Sequence, residues 1–340
     1  MKKIISIVLA VLLVCAITAC APKVAEPAAA TEAPAAAATE APAAADAAAE
    51  PAAEGYNIAV LIKATDSTFW QKVGAGAEDY AAKNDGVTVT VQGPASEADI
   101  EESISLLENV ILSKPDAIVI GSNADTGANA ALQDAATAGI PVITVDTALP
   151  SDKVAAHLAT DNIVGGELAA EAMVKYMKDN GKELKGKVAI VAAVAGVQTI
   201  IDRDGGFVSK MAELAPDIEV LEPIYVDNDI DTSMSTTENI ITANGDELVG
   251  IYADNNHTGD GVARAIEQAE LKDKVTVVAF DDDDEELKAL KNGVIKALII
   301  QDQHNMGYLG VEYAIKAIKG EEMEEFVDTG VKVTWPEDLK

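Results

Sequence analysis

The sequence predicts an α/β protein with two similar parallel sheets, each covered by helices on both faces. Short runs rich in Val and Ile alternate with longer helical stretches from Gly55 onward, and this alternation is typical of parallel sheets flanked by helices. The runs are apolar at successive positions, as expected for strands buried on both faces. The segment Val154 to Gly166 interrupts the alternation with an extra short strand and a Gly-Gly pair, which favours two sheets over one.

The elements are predicted from the apolar runs and from the amphipathic stretches between them. The predicted strands are Ile58 to Ile62, Val87 to Val91, Ala117 to Ile120, Pro141 to Val145, Val188 to Val194, Ile218 to Val226, Leu248 to Tyr252, Val275 to Phe280 and Val294 to Ile300. The predicted helices are Phe69 to Lys83, Glu97 to Ser113, Ala124 to Ala138, Gly165 to Asn180, Arg203 to Ala215, Thr232 to Ala243, Thr258 to Ala269, Asp283 to Lys291 and Asn305 to Lys319.

Residues 1–19 have the features of a bacterial lipoprotein signal peptide. Two lysines precede the apolar run from Ile4 to Val14, and small residues precede Cys20; these are marks of a removable export segment too short to span a bilayer. We expect a lipid on Cys20 that anchors the chain to the extracytoplasmic face of the cell membrane. A plain secretory peptide with a chance cysteine is the alternative. The other cysteine, Cys15, leaves with the signal, so no disulfide is expected.

Residues 20–55 are predicted to form a disordered tether. The stretch from 21 to 54 holds 19 Ala, 5 Pro and 5 Glu, and the tetrapeptide Thr-Glu-Ala-Pro occurs twice in it. Such a segment has too few bulky apolar side chains to offset the entropy of ordering, and proline with glutamate favours an extended spacer.

The charge of the chain narrows the class of partner. The sequence carries 57 Asp and Glu against 25 Lys and Arg, a net charge of −32. This field repels nucleic acid and anionic lipid and disfavours phosphorylated ligands. A neutral or cationic small molecule is the expected partner, with no nucleic acid.

Polar residues follow the predicted strands, where ligands bind in open α/β sheets. The candidate segments are Lys63 to Trp70, Gly121 to Asp125, Asp146 and Thr147, Gln198 to Arg203, Asp227 to Asp229, Asp254 to Asn256, Asp281 and Gln301. Carboxylates and amides pair with vicinal hydroxyls, and aromatic rings cover the C–H face of a sugar. Each Asp or Asn alone could equally be a helix cap or turn former, but the aromatics and Arg203 favour a sugar ligand.

In the order of its motifs, the chain resembles the periplasmic sugar-binding proteins of the ribose-binding type, over nearly all of residues 57 to 335. The resemblance rests on Phe69-Trp70, on Ile140 to Asp146, on Thr160-Asp161-Asn162 with Gly165-Gly166, on Arg203 with Gly206-Phe207, on Asn255, on Phe280-Asp281 and on Gln301. It implies two Rossmann-like lobes joined by a three-crossing hinge, the type I periplasmic binding protein fold. The implied lobes are residues 56–160 with 302–330, and 161–301 with 331–340.

The resemblance also implies a site. Phe69 and Trp70 would sandwich the sugar ring, and its hydroxyls would bond to Asp146, Arg203, Asn255, Asp281 and Gln301. Two positions depart from ribose binders: Thr147 stands in place of an arginine, and Asn228 in place of a further aromatic. Both positions are candidate ligand residues. The resemblance therefore implies a sugar or polyol as the ligand, without implying ribose in particular.

Other signals are weaker, and no cofactor or metal is predicted. Gly74-Ala75-Gly76 lies inside a predicted helix and lacks the third glycine of a dinucleotide loop. The three histidines show no zinc-ligand spacing. The series Asp227, Asp229, Asp231, Ser233 and Glu238 has calcium-loop spacing, but Thr232 occupies the position that needs glycine, and a helix start lined with acids is the alternative.

The function expected is that of a monomeric substrate-binding lipoprotein of an ABC importer, which delivers a sugar or polyol to a membrane permease. A ligand receptor for a sensor or autoinducer system is the alternative. A lipid-anchored α/β hydrolase is a weaker one, because the sequence contains no Gly-x-Ser-x-Gly elbow and no triad partner for a histidine. A repressor with the same ligand domain would need a DNA-binding segment where the export signal stands.

Overall fold

The computed structural model describes residues 55–122 and 124–339. Strands β1–β13 are Tyr56–Leu61, Val87–Gln92, Ala117–Ile120, Val142–Val145, Val154–Ala159, Gly186–Ala192, Ile218–Val220, Ile224–Tyr225, Leu248–Ala253, Thr276–Phe280, Ile295–Gln301, Phe326–Asp328 and Val331–Thr334. Helices α1–α9 are Thr68–Lys83, Ile100–Ser113, Asn129–Ala138, Asn162–Asp179, Gln198–Leu214, Ile230–Asn244, Asn256–Gln268, Asp284–Lys291 and Gln303–Lys319.

The strands form two sheets. The first has six parallel strands in the order β12-β5-β4-β3-β1-β2. The second has seven in the order β13-β11-β10-β9-β6-β7, with β8 pairing to β6 and with β13 antiparallel to β11. The predicted α/β class with two helix-flanked, mainly parallel sheets is confirmed.

Each sheet is buried on both faces because its strands are apolar at successive positions. In β1, Ile58 and Val60 pack with α1 and α9, while Ala59 and Leu61 pack with α2 and α3. The second sheet is covered in the same way by α4 and α5 on one face and by α6, α7 and α8 on the other.

Both sheets carry a pair of helices in backbone contact. A Cβ at Gly76 of α1 would lie 1.9 Å from the carbonyl oxygen of His304 in α9, and one at Gly166 of α4 would lie 1.9 Å from that of Arg203 in α5. Glycine is therefore required at both contacts. The contact between Gly166 and Arg203 fixes the position of Arg203 relative to the edge of the second sheet.

The chain passes between the sheets three times, after β5, after β11 and after β12. Backbone groups tie these passages to one another. The Asp161 and Gly330 amides both donate to Asp328 Oδ1, at 3.2 and 2.9 Å, and the Asp302 amide donates to the Gly330 carbonyl at 3.2 Å. The three passages are thus hydrogen-bonded to one another where the chain crosses between the sheets.

The elements differ from prediction at several ends. The run Ile218 to Val226 is two short strands, β7 and β8, and the segment after β12 forms β13, which pairs with the second sheet. Helix α5 begins at Gln198, so Gln198 to Arg203 lies in the first turns of a helix and not in a loop.

The signal peptide, Cys20 and all of the tether but Gly55 lie outside the described residues, and their predictions stay predictions. In the part of the chain that the structure describes, no helix combines the length and the hydropathy that a membrane span needs.

Candidate functional site

The carboxyl ends of the strands of both sheets carry the candidate residues. Asp146 follows β4, Asn255 follows β9, Asp281 follows β10, and Gln301 ends β11. Three candidates, Asp146, Asn228 and Asp281, have φ of 65°, 56° and 77°. This left-handed region is costly for residues other than glycine and is least so for Asn and Asp, which is consistent with side chains aimed by the backbone at a functional edge.

Asp146 is held by a lysine from a neighbouring strand end. Lys63 Nζ, two residues beyond β1, lies 2.9 Å from Asp146 Oδ2 and 2.7 Å from Thr147 Oγ1. The two charged side chains are 12% and 13% exposed. Burial alone would raise the pKa of Asp146, but the Lys63 ammonium, assisted by Arg203 and the Thr147 hydroxyl, holds that pKa below its ordinary value. Asp146 is therefore an ionised acceptor.

The two adjacent aromatics occupy different environments. Trp70 is 2% exposed, its Nε1 donates to Glu97 Oε1 at 2.7 Å, and its ring lies so close to Gly121 that a Cβ there would be 2.4 Å away. Phe69 is half-buried and meets Trp70 edge to face with ring centroids 5.1 Å apart. Phe69 is thus the more exposed of the two rings, and Trp70 packs against it from the core; that either ring contacts a sugar stays a prediction.

Arg203 is a buried cation at the ligand edge of the second lobe. It is 4% exposed, and its guanidinium carbon lies 4.0 Å from the centroid of the Phe280 ring. Its Nε donates to Asn162 Oδ1 and its Nη1 to the Asp254 carbonyl, both at 2.8 Å. The stacking and the two bonds fix the plane of the guanidinium and leave its remaining donors for other partners.

Asp281 and Gln301 form a pair on adjacent strands. Gln301 Nε2 donates to Asp281 Oδ1 at 3.0 Å, and the two residues are 3% and 6% exposed, Gln301 the less. Burial raises the pKa of Asp281 to about 6, opposed by Arg203 and by the Gln301 bond. At neutral pH, Asp281 is mostly an ionised acceptor whose charge is poorly solvated, and such a group gains by hydrogen bonds from ligand hydroxyls.

Asn228 and Asn255 contact each other through their side chains. Asn255 Nδ2 donates to Asn228 Oδ1 at 2.5 Å, and Asn255 Oδ1 accepts from the Thr258 amide at 3.0 Å. Asn255 is therefore also the N-cap of α7. The cap reading and the ligand reading are compatible, because capping fixes the side chain that a ligand would contact.

Two buried acidic residues, Asp204 and Asp254, lie close to Arg203. Asp204 is 5% exposed and neither of its carboxylate oxygens has a hydrogen bond. Burial raises its pKa to about 7, and Arg203 opposes this. Burial, and then Asp204, raise the pKa of Asp254 well above its ordinary value. Both carboxyl groups therefore bind a proton more tightly than an exposed aspartate does.

The two lobes are joined across their facing edges by an ion pair. Lys72 Nζ, on α1, lies 2.6 Å from Asp282 Oδ1, in the loop after β10, and Gln303 Nε2 of α9 donates to the same oxygen at 3.1 Å. Lys72 and Gln303 belong to the first lobe and Asp282 to the second. The arrangement is that of two lobes drawn together.

Comparison with known proteins places this geometry in a family. Residues 58–322 match the family described as periplasmic binding protein domain. The chain belongs to this periplasmic binding protein family. It is 30% identical over 276 residues to the ribose import binding protein of Haemophilus influenzae, covering 81% of this chain and 90% of the relative.

Solved structures of ABC transporter and carbohydrate transporter binding proteins share the fold. One is the carbohydrate transporter solute binding protein of Agrobacterium radiobacter in complex with D-arabinose, with a TM-score of 0.76, 35% identity and coverage of 84% of this chain and 96% of that one. Another, from Agrobacterium vitis with bound D-fucose, has a TM-score of 0.73, 34% identity and coverage of 83% and 96%. The type I periplasmic binding protein fold is confirmed.

The structure adds two residues to the candidate site of this family member. Lys63 stands where its ammonium bridges Asp146 and Thr147, and Asn162 holds Arg203. Lys63 lies in a segment that the sequence marks as facing a ligand, but only the pairing of strand ends separates it from a surface lysine. Asn162 lies in the Thr160-Asp161-Asn162 motif, where the sequence shows no partner for it.

The calcium-like series has other partners. Asp229 is the N-cap of α6, Ser233 Oγ donates to the Thr258 carbonyl at 2.9 Å, and Glu238 Oε1 accepts from Gln268 at 3.1 Å. Within residues 55–122 and 124–339, no group of three or more His, Cys, Asp or Glu side chains is arranged to hold a metal ion. The acidic helix start accounts for the pattern.

Proposed function

We propose that this chain is the substrate-binding lipoprotein of an ABC importer and that it captures a neutral sugar or polyol between its two lobes. The observation that carries the proposal is a pair of facing polar groups. One lobe contributes the largely buried pair of Lys63 and ionised Asp146, and the other contributes the buried Arg203, Asp281 and Gln301. The similarity to the ribose import binding protein and to the structures with bound D-arabinose and D-fucose supports the same class of ligand.

The balance of charge at the site favours a neutral ligand. The site holds two cations, Lys63 and Arg203, and two carboxylates, Asp146 and Asp281, and each charge already has a partner of opposite sign or a hydrogen bond. A hydroxyl donates to a carboxylate and accepts from an ammonium or guanidinium, so a ring with vicinal hydroxyls satisfies both kinds of group without adding charge.

Lys63 offers a reason why the ligand differs from ribose. Thr147 stands where ribose binders have an arginine, and the Lys63 ammonium lies 2.7 Å from the Thr147 hydroxyl. The compact lysine ammonium carries three N–H donors that can rotate, whereas the donors of an arginine are fixed in one plane. We expect the hydroxyls beside Asp146 to be recognised in a different orientation from those of ribose.

Closure of the lobes would present the cargo to a membrane permease. Ligand stabilises the closed form by the difference between its affinities for the closed and open forms. We propose that residues 56–160 with 302–330 and residues 161–301 with 331–340 move as the two lobes, that the lipid on Cys20 keeps the monomeric chain at the extracytoplasmic face, and that it performs no catalysis. A receptor that reports the same ligand to a sensor would use the same site.

Calorimetric titration of the full chain in detergent with pentoses, hexoses, inositols and nucleosides tests the proposal. We expect at least one neutral sugar or polyol to bind, and Asp281→Asn to weaken its binding by more than tenfold, because the substitution removes a buried charged acceptor. Asp116→Asn is the control, since the Asp116 carboxylate also accepts a hydrogen bond, from the Asn57 backbone amide at 2.7 Å, but at the opposite end of the first sheet. Absence of heat with every compound would contradict the proposal.

A further inference from the structure

A cavity of about 330 Å³ opens beside Asp146 and Thr147 and extends toward the hinge. It reaches the first interlobe passage at Thr160 and Asp161 and the first turn of α5 at Gln198. Its walls come from both lobes. It is therefore in contact with the proposed sugar site at one end and with the hinge at the other.

This cavity is additional to the place where a single sugar ring would be held. Arg203, Asn255, Asp281 and Gln301 do not line it, and of the nine candidate ligand residues it contains only Asp146 and Thr147. Its volume lies at the lower end of the range found for small-molecule sites, roughly 300–1,000 Å³. It has room for a second group attached to a ring bound at Asp146.

The charge of the lining excludes an anionic group. Asp146, Asp161 and Asp202 contribute carboxylates, and the lining contains no lysine or arginine. Asp202 accepts from Gln198 Nε2 at 2.7 Å, so this carboxylate is held in place at the wall. A phosphate or carboxylate placed here would face the Asp161 and Asp202 carboxylates, and the Lys63 ammonium beside the cavity is already paired with Asp146.

Apolar and aromatic side chains complete the lining. Phe326, on the edge strand β12, is 48% exposed, and Ile163 is 52% exposed. The His157 ring lies beside Phe326 with centroids 5.9 Å apart, and its Nδ1 is 2.9 Å from the Thr144 hydroxyl, which fixes the ring. A half-exposed aromatic ring next to amide and hydroxyl side chains matches the two faces of a sugar or another neutral ring.

We propose that the ligand is a neutral glycoside, whose first ring occupies the proposed sugar site and whose second ring lies in this cavity against Phe326. The inference rests on the proposed function and adds the class of sugar that the site takes. The cavity reaches Thr160 and Asp161, and its walls come from both lobes. The second ring therefore contacts both walls only when the lobes are together, and its contacts add to the stability of the closed form.

The test compares monosaccharides with their own glycosides on the full chain in detergent. Pentoses and hexoses, their methyl and phenyl glycosides, their disaccharides and their phosphate esters are titrated by calorimetry. We expect a disaccharide or phenyl glycoside to bind at least tenfold more tightly than its parent monosaccharide, and the phosphate ester to bind more weakly than the parent.

Two substitutions assign the effect to the cavity. Phe326→Ala removes the ring, and Thr199→Phe fills the space from α5; both should weaken glycoside binding at least fivefold and change monosaccharide binding by less than twofold. Ile201→Ala is the matched control, because Ile201 is a 45% exposed apolar residue on the same helix that does not line the cavity. Equal melting temperatures establish that the variants fold.

The outcomes separate this inference from the proposed function. Tighter glycoside binding that Phe326→Ala and Thr199→Phe both abolish supports the inference. Monosaccharide binding as tight as glycoside binding, unaffected by either substitution, overturns it and leaves the proposed function standing. Absence of binding by every sugar and glycoside contradicts both.

Discussion

Replacing Lys63 by Met removes the ammonium that compensates Asp146 while keeping most of the volume of the side chain. Lys63 and Asp146 are 12% and 13% exposed, so the pair lies between a surface ion pair, worth about 0–1 kcal/mol, and a fully buried one, whose disruption costs about 3–5 kcal/mol. We expect Lys63→Met to lower the free energy of unfolding by about 2–3 kcal/mol. Without the ammonium, burial should raise the pKa of Asp146 above its ordinary value.

The same substitution should weaken ligand binding. A charge-assisted hydrogen bond is worth about 1.5–3 kcal/mol, so loss of the Lys63 bond predicts a dissociation constant roughly 10- to 150-fold higher. Chemical denaturation measures the stability, and calorimetry measures the affinity. The double variant Lys63→Met with Asp146→Asn removes the uncompensated charge and should recover stability but not affinity. Unchanged stability and affinity in Lys63→Met, or recovery of both in the double variant, would refute the reasoning.

Three further predictions concern the lobes, the arginine and the pH dependence. Lys72→Met removes the interlobe pair with Asp282; because Lys72 is 38% exposed, the pair is worth at most about 1 kcal/mol, and stopped-flow should show ligand dissociation two- to fivefold faster for every ligand alike. Asn162→Ala leaves the Arg203 Nε unpaired and should raise the dissociation constant about tenfold, with no further effect in an Arg203→Ala background. Burial raises the pKa of Asp204 to about 7, so the folded chain binds this proton more tightly than the unfolded chain. Stability contributed by that proton is complete below about pH 4 and should be lost progressively as the pH rises through about 7, as measured in thermal melts.

Matched variants control each of these measurements. Lys316→Met removes an ion pair with Glu312 at 2.7 Å within α9 and should leave dissociation unchanged. Asn305→Ala removes a bond to the Thr329 carbonyl at the hinge, at 3.2 Å, without touching Arg203. Asp204→Asn should flatten the pH dependence of stability. If Lys316→Met speeds dissociation as much as Lys72→Met does, the interlobe pair is not the cause. If the effects of Asn162→Ala and Arg203→Ala add, Asn162 does not act through Arg203. If Asp204→Asn leaves the pH profile of stability unaltered, Asp204 is not the titrating group.

The fold could be predicted because local signals and tertiary structure agree. Apolar runs such as Ala117 to Ile120 are too short for helices and too uniformly apolar for half-exposed strands, so a parallel sheet covered on both faces is the one environment that suits them. The strands β7 and β8 were predicted as one run because β-branched residues, Ile218, Val220 and Ile224, lie on both sides of the break; Pro223 in that break is the signal that separates them. Strand β13 follows β12 so closely that its pairing with the other sheet depends on the hinge.

The candidate site was predictable only in outline. Asp146, Asp281 and Gln301 could be placed because each follows or ends an apolar strand, where side chains reach the ligand edge. Lys63 also follows an apolar strand and could be marked as facing a ligand, but its ion pair with Asp146 could not be predicted. That pair depends on the order β4-β3-β1, which brings two separated strand ends together. The burial of Trp70 could not be predicted, because it depends on Gly121, which follows a different strand and leaves room for the indole ring.

The central claim is that a neutral sugar binds between two lobes that close on it, and an interlobe distance tests it directly. Spin labels at Ala75→Cys on α1 and Glu285→Cys on α8 report on opposite lobes, and the native cysteines, Cys15 and Cys20, both precede the described residues. We predict that a binding sugar narrows the distance distribution to one short value, at the same concentration that produces heat in calorimetry. A distribution that does not change with any sugar, including one that produces heat, would contradict capture between the lobes.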